Sequence, residues 1–266
     1  MSALDQAWEA YRDAIETLRT RMLASPLAAD PADRARAQLW LMQAQAAAYN
    51  LAIAPLPSHP TFFVGTVFEP NVYTWLLPNA DFLYRYAFVD GARDFRIHGR
   101  RGSSHFLEAQ VIAGFWGDAD LKLLDTYDFD RFEKDRDGTF AIHVGPRASP
   151  DCPNWIRTDP ARATNTIIVR EAFYDWSKEE RSALALASSE TAASPAPLDE
   201  AALVARMDAA ARMIGFCFRA FSGGLTEDVL DAVGTNRFLL VDTSKDEHAS
   251  NPSASYVPAA YALGPD

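Results

Sequence analysis

The chain has 266 residues, a net charge of −11 and 48% hydrophobic residues, so it can bury the core of one large domain or of two small ones. The acidic balance argues against nucleic acid and anionic membranes as partners. Two cysteines, Cys152 and Cys217, can form one bridge at most, and we expect free thiols in a reducing, cytoplasmic compartment. We find no secretory signal and no apolar window of membrane-spanning length.

Two helices are predicted at the N-terminus, within residues 1–54. Asp30 followed by Pro31 predicts the start of the second helix, which is rich in alanine and runs to Ile53. In the first helix, residues 3–24, apolar side chains recur at steps of three and four, which is typical of an amphipathic helix. These side chains are Leu4, Trp8, Tyr11, Ile15, Leu18 and Met22. The two helices are expected to form a hairpin.

The hydrophobic period changes to two residues from Thr61 onward. This pattern favours an antiparallel β-sandwich or jelly roll over a parallel sheet. The Asp-Gly pairs at 90–91 and 137–138 are typical of tight turns between strands. The expected strands are 61–68, 73–77, 82–89, 94–98, 104–115, 121–126, 140–144 and 164–171.

Helical patterns return after these strands, at 178–187 and 199–221. Asp199 is the expected N-cap of the second of these helices, and Gly223 and Gly224 are expected to end it. The predicted fold class is therefore α+β, with an N-terminal helical hairpin (1–54), a β-sandwich or jelly-roll-like core (61–187) and a C-terminal helical segment with a tail (199–266). We expect these parts to form one compact unit.

An arginine lies among apolar residues on the predicted strand 82–89. Because side chains alternate along a strand, Tyr84 shares one face with three other aromatic residues and Arg85 lies on the opposite face. Arg85 could pair with an acid such as Asp81 or Glu108, or its planar guanidinium could hold a carboxylate or phenolate. The aromatic row could form core or the wall of a pocket.

Four further residues are candidates for substrate binding. Arg170 ends an apolar strand, so it either pairs with a neighbouring acid or binds an anion. Asn154 and Trp155 lie in a proline-bounded loop. They either brace that loop by hydrogen bonds or line a cavity, where the indole would stack on a flat ligand. Tyr73, on the predicted strand 73–77, is the fourth candidate.

Three histidines and one acid are the residues that could hold a metal or move a proton. His98, His105, Glu108 and His143 would suit a divalent transition metal if they met on neighbouring strands. Their spacing lacks the compact His-x-His motif of metal cupins, so we expect no metal. His98 or His105 is a better candidate for a general base, because imidazole titrates near neutral pH.

Two motifs resemble a known bacterial family. One is PNADFLYRYAFVDG at 78–91 with FRIHG at 95–99, and the other joins NW at 154–155 to VREAFYDW at 169–176. Over roughly residues 68 to 187 the chain resembles the family called "domain of unknown function 1214". The resemblance implies a jelly-roll-like core with helical additions and no standard cofactor. Most members have no assigned reaction, and many belong to bacteria that degrade aromatic or steroid-like compounds. Similar residues to 256–266 lead into further strands there, so we expect a longer native chain.

The leading functional hypothesis is a cofactor-independent, lyase-type enzyme that acts on a hydrophobic aromatic small molecule in a catabolic pathway. Arg85 and Arg170 would hold an anionic group, Tyr84 or a histidine would move the proton, and Trp155 would pack against the ring. One alternative is a domain that binds a small molecule or a partner without catalysis. A second is a metal-dependent, cupin-like enzyme. The sequence leaves open whether the protein is a homo-oligomer.

Overall fold

The computed structural model of the chain describes residues 1–65, 79–189, 195, 197–241, 251 and 255–262. Within these residues a layer of helices covers one face of a five-stranded sheet, and a four-stranded sheet covers the other face. The predicted α+β class, with helices before and after a sheet-rich core, is confirmed.

The helical layer begins with the predicted hairpin. Its helices are α1 (Ala3–Ala24) and α2 (Pro31–Ala48), followed by a π-helical turn (Tyr49–Ile53), and the C-terminal helices are α3 (Glu200–Phe221) and α4 (Gly223–Val233). Ser2 and Asp5 form a capping box that satisfies backbone N–H groups at the start of α1. The Asp30 side chain accepts from the backbone of Ala32 and Asp33 at the start of α2. Helices α2 and α3 therefore begin where Asp30 and Asp199 predict.

Two sheets contain the strands of the described residues. The order is β1-β2-β8-β4-β5 in the larger sheet and β7-β6-β3-β9 in the smaller, and every pair is antiparallel except β6 with β7. The strands are β1 (Phe63–Gly65), β2 (Phe82–Val89), β3 (Phe95–Arg100), β4 (Phe106–Ala113), β5 (Lys122–Asp128), β6 (Thr139–Gly145), β7 (Trp155–Arg157), β8 (Asn165–Ala172) and β9 (Ala183–Ser188).

The larger sheet is buried on both faces, so its strands supply two separate cores. In β2, Tyr86 and Phe88 pack toward the helices, while Ala87 and Val89 pack toward the smaller sheet. The side-chain alternation of a strand produces this division. Polar residues on the larger sheet are consequently enclosed by protein whichever way they point, unless they lie at its margin.

The segment after β8 differs from the prediction. A helix was expected at 178–187, but the structure has a turn at 176–178 and then β9. Glu179 accepts hydrogen bonds from the backbone N–H groups of Tyr174, Asp175 and His105, which fixes the turn. Strand β9 then pairs along all six residues of β3. Pairing with an open sheet edge outweighs the helix preference of an alanine- and leucine-rich segment.

Two further elements, β7 and α4, were not predicted. Gly223 and Gly224 follow the end of α3 at Phe221 and begin α4 directly, instead of leading into a loop. The predicted strand 73–77 lies outside the described residues. Cys152 and Cys217 are buried free thiols, as expected. No helix among the described residues is long and apolar enough to cross a membrane.

Candidate functional site

A row of polar side chains crosses the larger sheet on the face that carries the helices. Tyr84 of β2 and Glu108 of β4 are both backbone partners of Arg170 on the central strand β8. Partners in an antiparallel pair project to the same face. Tyr86 and Ile168, two residues along their strands, belong to the core beneath the helices, which establishes the face. The term polar row is used below for Tyr84, Glu108, Gln110, Arg170 and Asn251.

Three members of the polar row are buried and two, Tyr84 and Arg170, are half-buried. Glu108 is 5% exposed and Gln110 is 1% exposed, although both are polar. Arg170 Nη1 donates to Gln110 Oε1 at 2.6 Å. Asn251, which is 3% exposed, donates from Nδ2 to Glu108 Oε1 at 2.7 Å. Polar and charged groups at this depth are costly to bury without partners, and here each charged group is hydrogen-bonded to an amide, Arg170 to Gln110 and Glu108 to Asn251.

Aromatic rings border the polar row. The ring of Tyr84 stacks with that of Phe82 at a centroid distance of 5.8 Å and with that of Tyr86 at 6.5 Å. Tyr86 in turn meets the indole of Trp116 edge-on at 5.7 Å. This confirms that the aromatic residues of β2 share a face. Tyr86 and Trp116 are buried in the core, so the half-buried rings of Phe82 and Tyr84 are the ones that a flat, apolar molecule could stack on.

The phenol of Tyr84 is expected to be neutral at physiological pH. Burial raises its pKa above the ordinary value of 10, Arg170 lowers it because a cation favours the phenolate, and Tyr256 raises it slightly. The net direction is upward. A neutral phenol can donate its proton in a hydrogen bond, so Tyr84 can act as a donor toward an anion held by Arg170.

Arg85 lies on the opposite face of the same strand, between the two sheets. Its Nη1 donates to Glu171 Oε2 at 2.7 Å and its Nη2 donates to the carbonyl of Ser182 at 2.9 Å. Glu171 is fully buried, and its oxygens also accept from the backbone N–H and hydroxyl of Ser182. The acid that pairs with Arg85 is thus Glu171 and not Asp81 or Glu108. This cluster joins β2 and β8 to the start of β9.

Asn154 and Trp155 brace the loop that leads into β7. Asn154 Oδ1 accepts from the backbone N–H of Glu133, and Nδ2 donates to the carbonyls of Glu133 and Ala141, all within 2.9 Å. Trp155 Nε1 donates to the carbonyl of Gly145 at 2.9 Å. All of these bonds are to backbone groups of the smaller sheet or its loops. Both residues therefore brace their loop by hydrogen bonds, which is the first of the two alternatives.

The predicted histidines occupy different places. His98 is exposed on β3 of the smaller sheet, and His105 is exposed before β4, where its ring lies 4.0 Å from that of Tyr174. His143 is buried, with Nε2 2.9 Å from the carbonyl oxygen of Arg147 and 3.3 Å from Asp94 Oδ1. Among the described residues, no three His, Cys, Asp or Glu side chains converge as a metal site.

Of the eight residues predicted for the site, the structure brings Tyr84 and Arg170 together. Arg85, His98, His105 and the Asn154–Trp155 pair lie elsewhere, and Tyr73 lies outside the described residues. The sequence indicates Glu108 only as a metal ligand or as a partner of Arg85. Its alternation with Gln110 on an otherwise apolar strand was the available signal. Asn251 comes from the polar tail, where no sequence pattern marked it.

No protein-family model matches the chain, and no curated protein matches it either. Among solved structures, an uncharacterised protein from Burkholderia cenocepacia superposes with a TM-score of 0.82 at 24% sequence identity, covering 97% of this chain and 70% of that chain. The VPA0106 protein from Vibrio parahaemolyticus gives a TM-score of 0.31 at 11% identity, over 62% of this chain and 46% of that one. The superposition on the Burkholderia cenocepacia protein supports the α+β fold described above.

Proposed function

We propose that the chain is a cofactor-independent, lyase-type enzyme that binds a small aromatic anion at the polar row and acts by acid–base chemistry. The carrying observation is that the buried Glu108 lies opposite Arg170 in the pairing of strands β4 and β8, on the face that also carries Tyr84 and the aromatic rings stacked on it. Buried charges within an apolar layer reduce stability relative to apolar residues, so their presence favours a functional role.

Arg170 is the proposed anion-binding group. Its guanidinium is held from one side by Gln110, and its remaining N–H groups form a planar fork that suits a carboxylate or phenolate. Arg85 was a second candidate for this role. It projects toward the smaller sheet and its fork is occupied by Glu171 and Ser182, so the proposal assigns anion binding to Arg170 alone.

Glu108 and Tyr84 are the proposed proton-transfer groups. The Glu108 carboxylate, oriented by Asn251, would take a proton from a saturated carbon next to the anionic group. The electron pair of that C–H bond would form a carbon–carbon double bond while the bond from the adjacent carbon to its leaving group breaks. The Tyr84 phenol, which burial keeps protonated, would donate to the departing group as the bond breaks. The products are the unsaturated anion and the protonated leaving group, so the elimination needs no oxidant, and proton exchange with water returns Glu108 and Tyr84 to their starting states. The proposed setting is a cytoplasmic catabolic pathway.

A binding domain without catalysis is the second candidate, and one observation favours it. Arg170 already donates to Gln110, and Glu108 already accepts from Asn251. Such bonds can hold a ligand-binding surface in shape without any proton transfer.

A substrate screen tests the proposal. Aryl carboxylates and phenols would be added to the purified chain as ligands, and arylalkyl carboxylates with a leaving group on the second carbon from the carboxylate would be added as substrates. Binding would be followed by thermal shift and products by mass spectrometry. In Glu108→Gln we expect turnover to fall about 100-fold or more, since general acid–base groups contribute about 10²–10⁴-fold, with binding retained. Glu180→Gln is the matched control, because Glu180 is an exposed acid that pairs with Arg100. It should change neither turnover nor binding. Binding without turnover would leave the binding domain, and absence of binding would refute both.

A further inference from the structure

A groove on the helical layer forms a second place where a small molecule could lie. Its volume is about 510 Å³, within the range of small-molecule sites. Three elements build it: α1, the π-helical turn after α2, and α3. Its apolar lining includes Leu4, Trp8, Tyr11, Tyr49, Leu203 and Met207. None of these residues belongs to the polar row.

Aromatic rings form much of this groove and remain open to solvent. Trp8 is 58% exposed and Tyr49 is 57% exposed, although large aromatic side chains are usually well covered. The rings of Trp8 and Tyr11 lie 6.4 Å apart, tilted by 35°. Burial raises the pKa of the Tyr11 phenol, so this ring stays neutral. The groove therefore presents neutral π faces.

The charged groups that line the groove are acidic. Asp5 and Glu9 are both lining residues, and hydrogen bonds from Ser2 hold the pKa of the Asp5 carboxyl below its ordinary value, so it stays ionised. Two guanidiniums lie nearby and each is engaged: Arg12 with Glu9, and Arg206 with the carbonyl of Ile53.

We propose that this groove binds an organic cation, namely an ammonium or quaternary ammonium group carried on an apolar body. The negative faces of Trp8, Tyr11 and Tyr49 attract such a cation, and the carboxylate of Asp5 adds complementary charge, whereas that of Glu9 is shared with Arg12. A neutral molecule of the same shape gains only the apolar contact, and an anion is repelled. Charge selectivity follows from the lining.

The test uses three probes of similar size on the intact chain: benzyltrimethylammonium, its neutral analogue benzyl alcohol, and benzenesulfonate. Binding is followed by NMR on the indole N–H resonances, with Trp8 assigned from its loss in Trp8→Leu. We expect the cation to shift the Trp8 resonance and the anion to leave it unchanged. The neutral probe should bind more weakly than the cation.

Two variants locate the binding. Trp8→Leu keeps apolar area but removes the π face, so affinity for the cation should fall about two- to five-fold, the range of an exposed cation–π contact. Tyr49→Leu should also lower the affinity for the cation. It provides a second test if Trp8→Leu misfolds, which circular dichroism would reveal. Tyr174→Leu, at an aromatic residue that is 79% exposed elsewhere, is the control and should have no effect. Equal binding of cation and neutral probe, binding insensitive to both groove variants, or no binding would overturn the proposal.

Discussion

Two arginines on paired strands of one sheet have different surroundings because of strand alternation. Tyr84 and Arg85 are neighbours in sequence, yet Tyr84 joins Arg170 beneath the helices while Arg85 meets Glu171 between the sheets. The opposite orientation of Tyr84 and Arg85 could be predicted from the period of β2. The identity of the acid could not, because Glu171 reaches Arg85 only through the pairing of β2 with β8, which is distant in sequence.

The buried ion pair should dominate the electrostatic contribution to stability. Glu171→Gln removes the charge that compensates Arg85 at a site where neither side chain is more than 8% exposed. We expect a loss of about 3 kcal/mol in the free energy of unfolding, because an uncompensated buried charge remains. Urea unfolding measures it. Glu180→Gln, whose pair with Arg100 is exposed, should change stability by less than about 1 kcal/mol. Equal effects would contradict the structural role of Glu171.

The pKa of Tyr84 should report its electrostatic interaction with Arg170. Arg170 lowers this pKa against the larger effect of burial, so Arg170→Gln should raise it further. The phenolate absorbance near 295 nm, in an alkaline titration with Tyr84→Phe subtracted, measures the change. A fall, or no change, would show that the cation and the phenol do not interact.

At the scale of elements, the two Asp-Gly turns show that one sequence signal can serve two physical needs. Gly138 has φ of 81°, and a Cβ there would meet little, with the nearest atom 3.8 Å away. Gly91 lacks a positive φ, but a Cβ would lie 1.9 Å from the carbonyl oxygen of Asp159. The Asp-Gly pairs predict both turns. The residues around Gly91 do not predict that its turn packs against the loop at 159–165.

These two glycines should therefore respond differently to substitution. Gly138→Ala should cost about 1 kcal/mol for a left-handed backbone, and Gly138→Asn less, since asparagine tolerates that conformation. Gly91→Ala must displace backbone and should cost about 3 kcal/mol or more. Thermal unfolding of the three variants checks this order. A larger loss for Gly138→Ala than for Gly91→Ala would contradict it.

Strand β9 shows where local sequence pattern failed. The segment ALALAS has helix-forming residues, and its alternating side chains differ little in polarity. Pairing with the edge of β3 determines its conformation, and this edge cannot be inferred from the sequence of the segment itself.

The polar row also depends on pairing between distant segments. Tyr84 and Arg170 could be singled out as unusual residues, but their convergence with Glu108 requires the order of strands in the sheet.

At the scale of the whole molecule, the shifted pKa values predict a broad stability plateau. Burial raises the pKa of Tyr11, Tyr84 and Tyr127, so their contribution is complete below pH 10 and is lost as pH rises above it. Arg101 holds the pKa of Asp130 below 3.8, so that contribution is present above this value and is lost as pH falls. Urea midpoints across pH 3 to 11 should decline at both ends. A midpoint that rises above pH 10 would contradict the burial of these phenols.

In the proposed function, the polar row binds the ligand and the Arg85 cluster joins the two sheets. The direct test is the pair Arg170→Lys and Arg85→Lys, each measured for affinity toward an aryl carboxylate found in the screen and for Tm. Lysine keeps the charge but loses the planar fork. We expect Arg170→Lys to weaken binding about ten-fold, the equivalent of one charge-assisted hydrogen bond, with little change in Tm. Arg85→Lys should lower Tm by several degrees, about 2–4 °C per kcal/mol for a chain of this size, and leave affinity unchanged. The reverse pattern, with binding lost in Arg85→Lys and retained in Arg170→Lys, would contradict the claim.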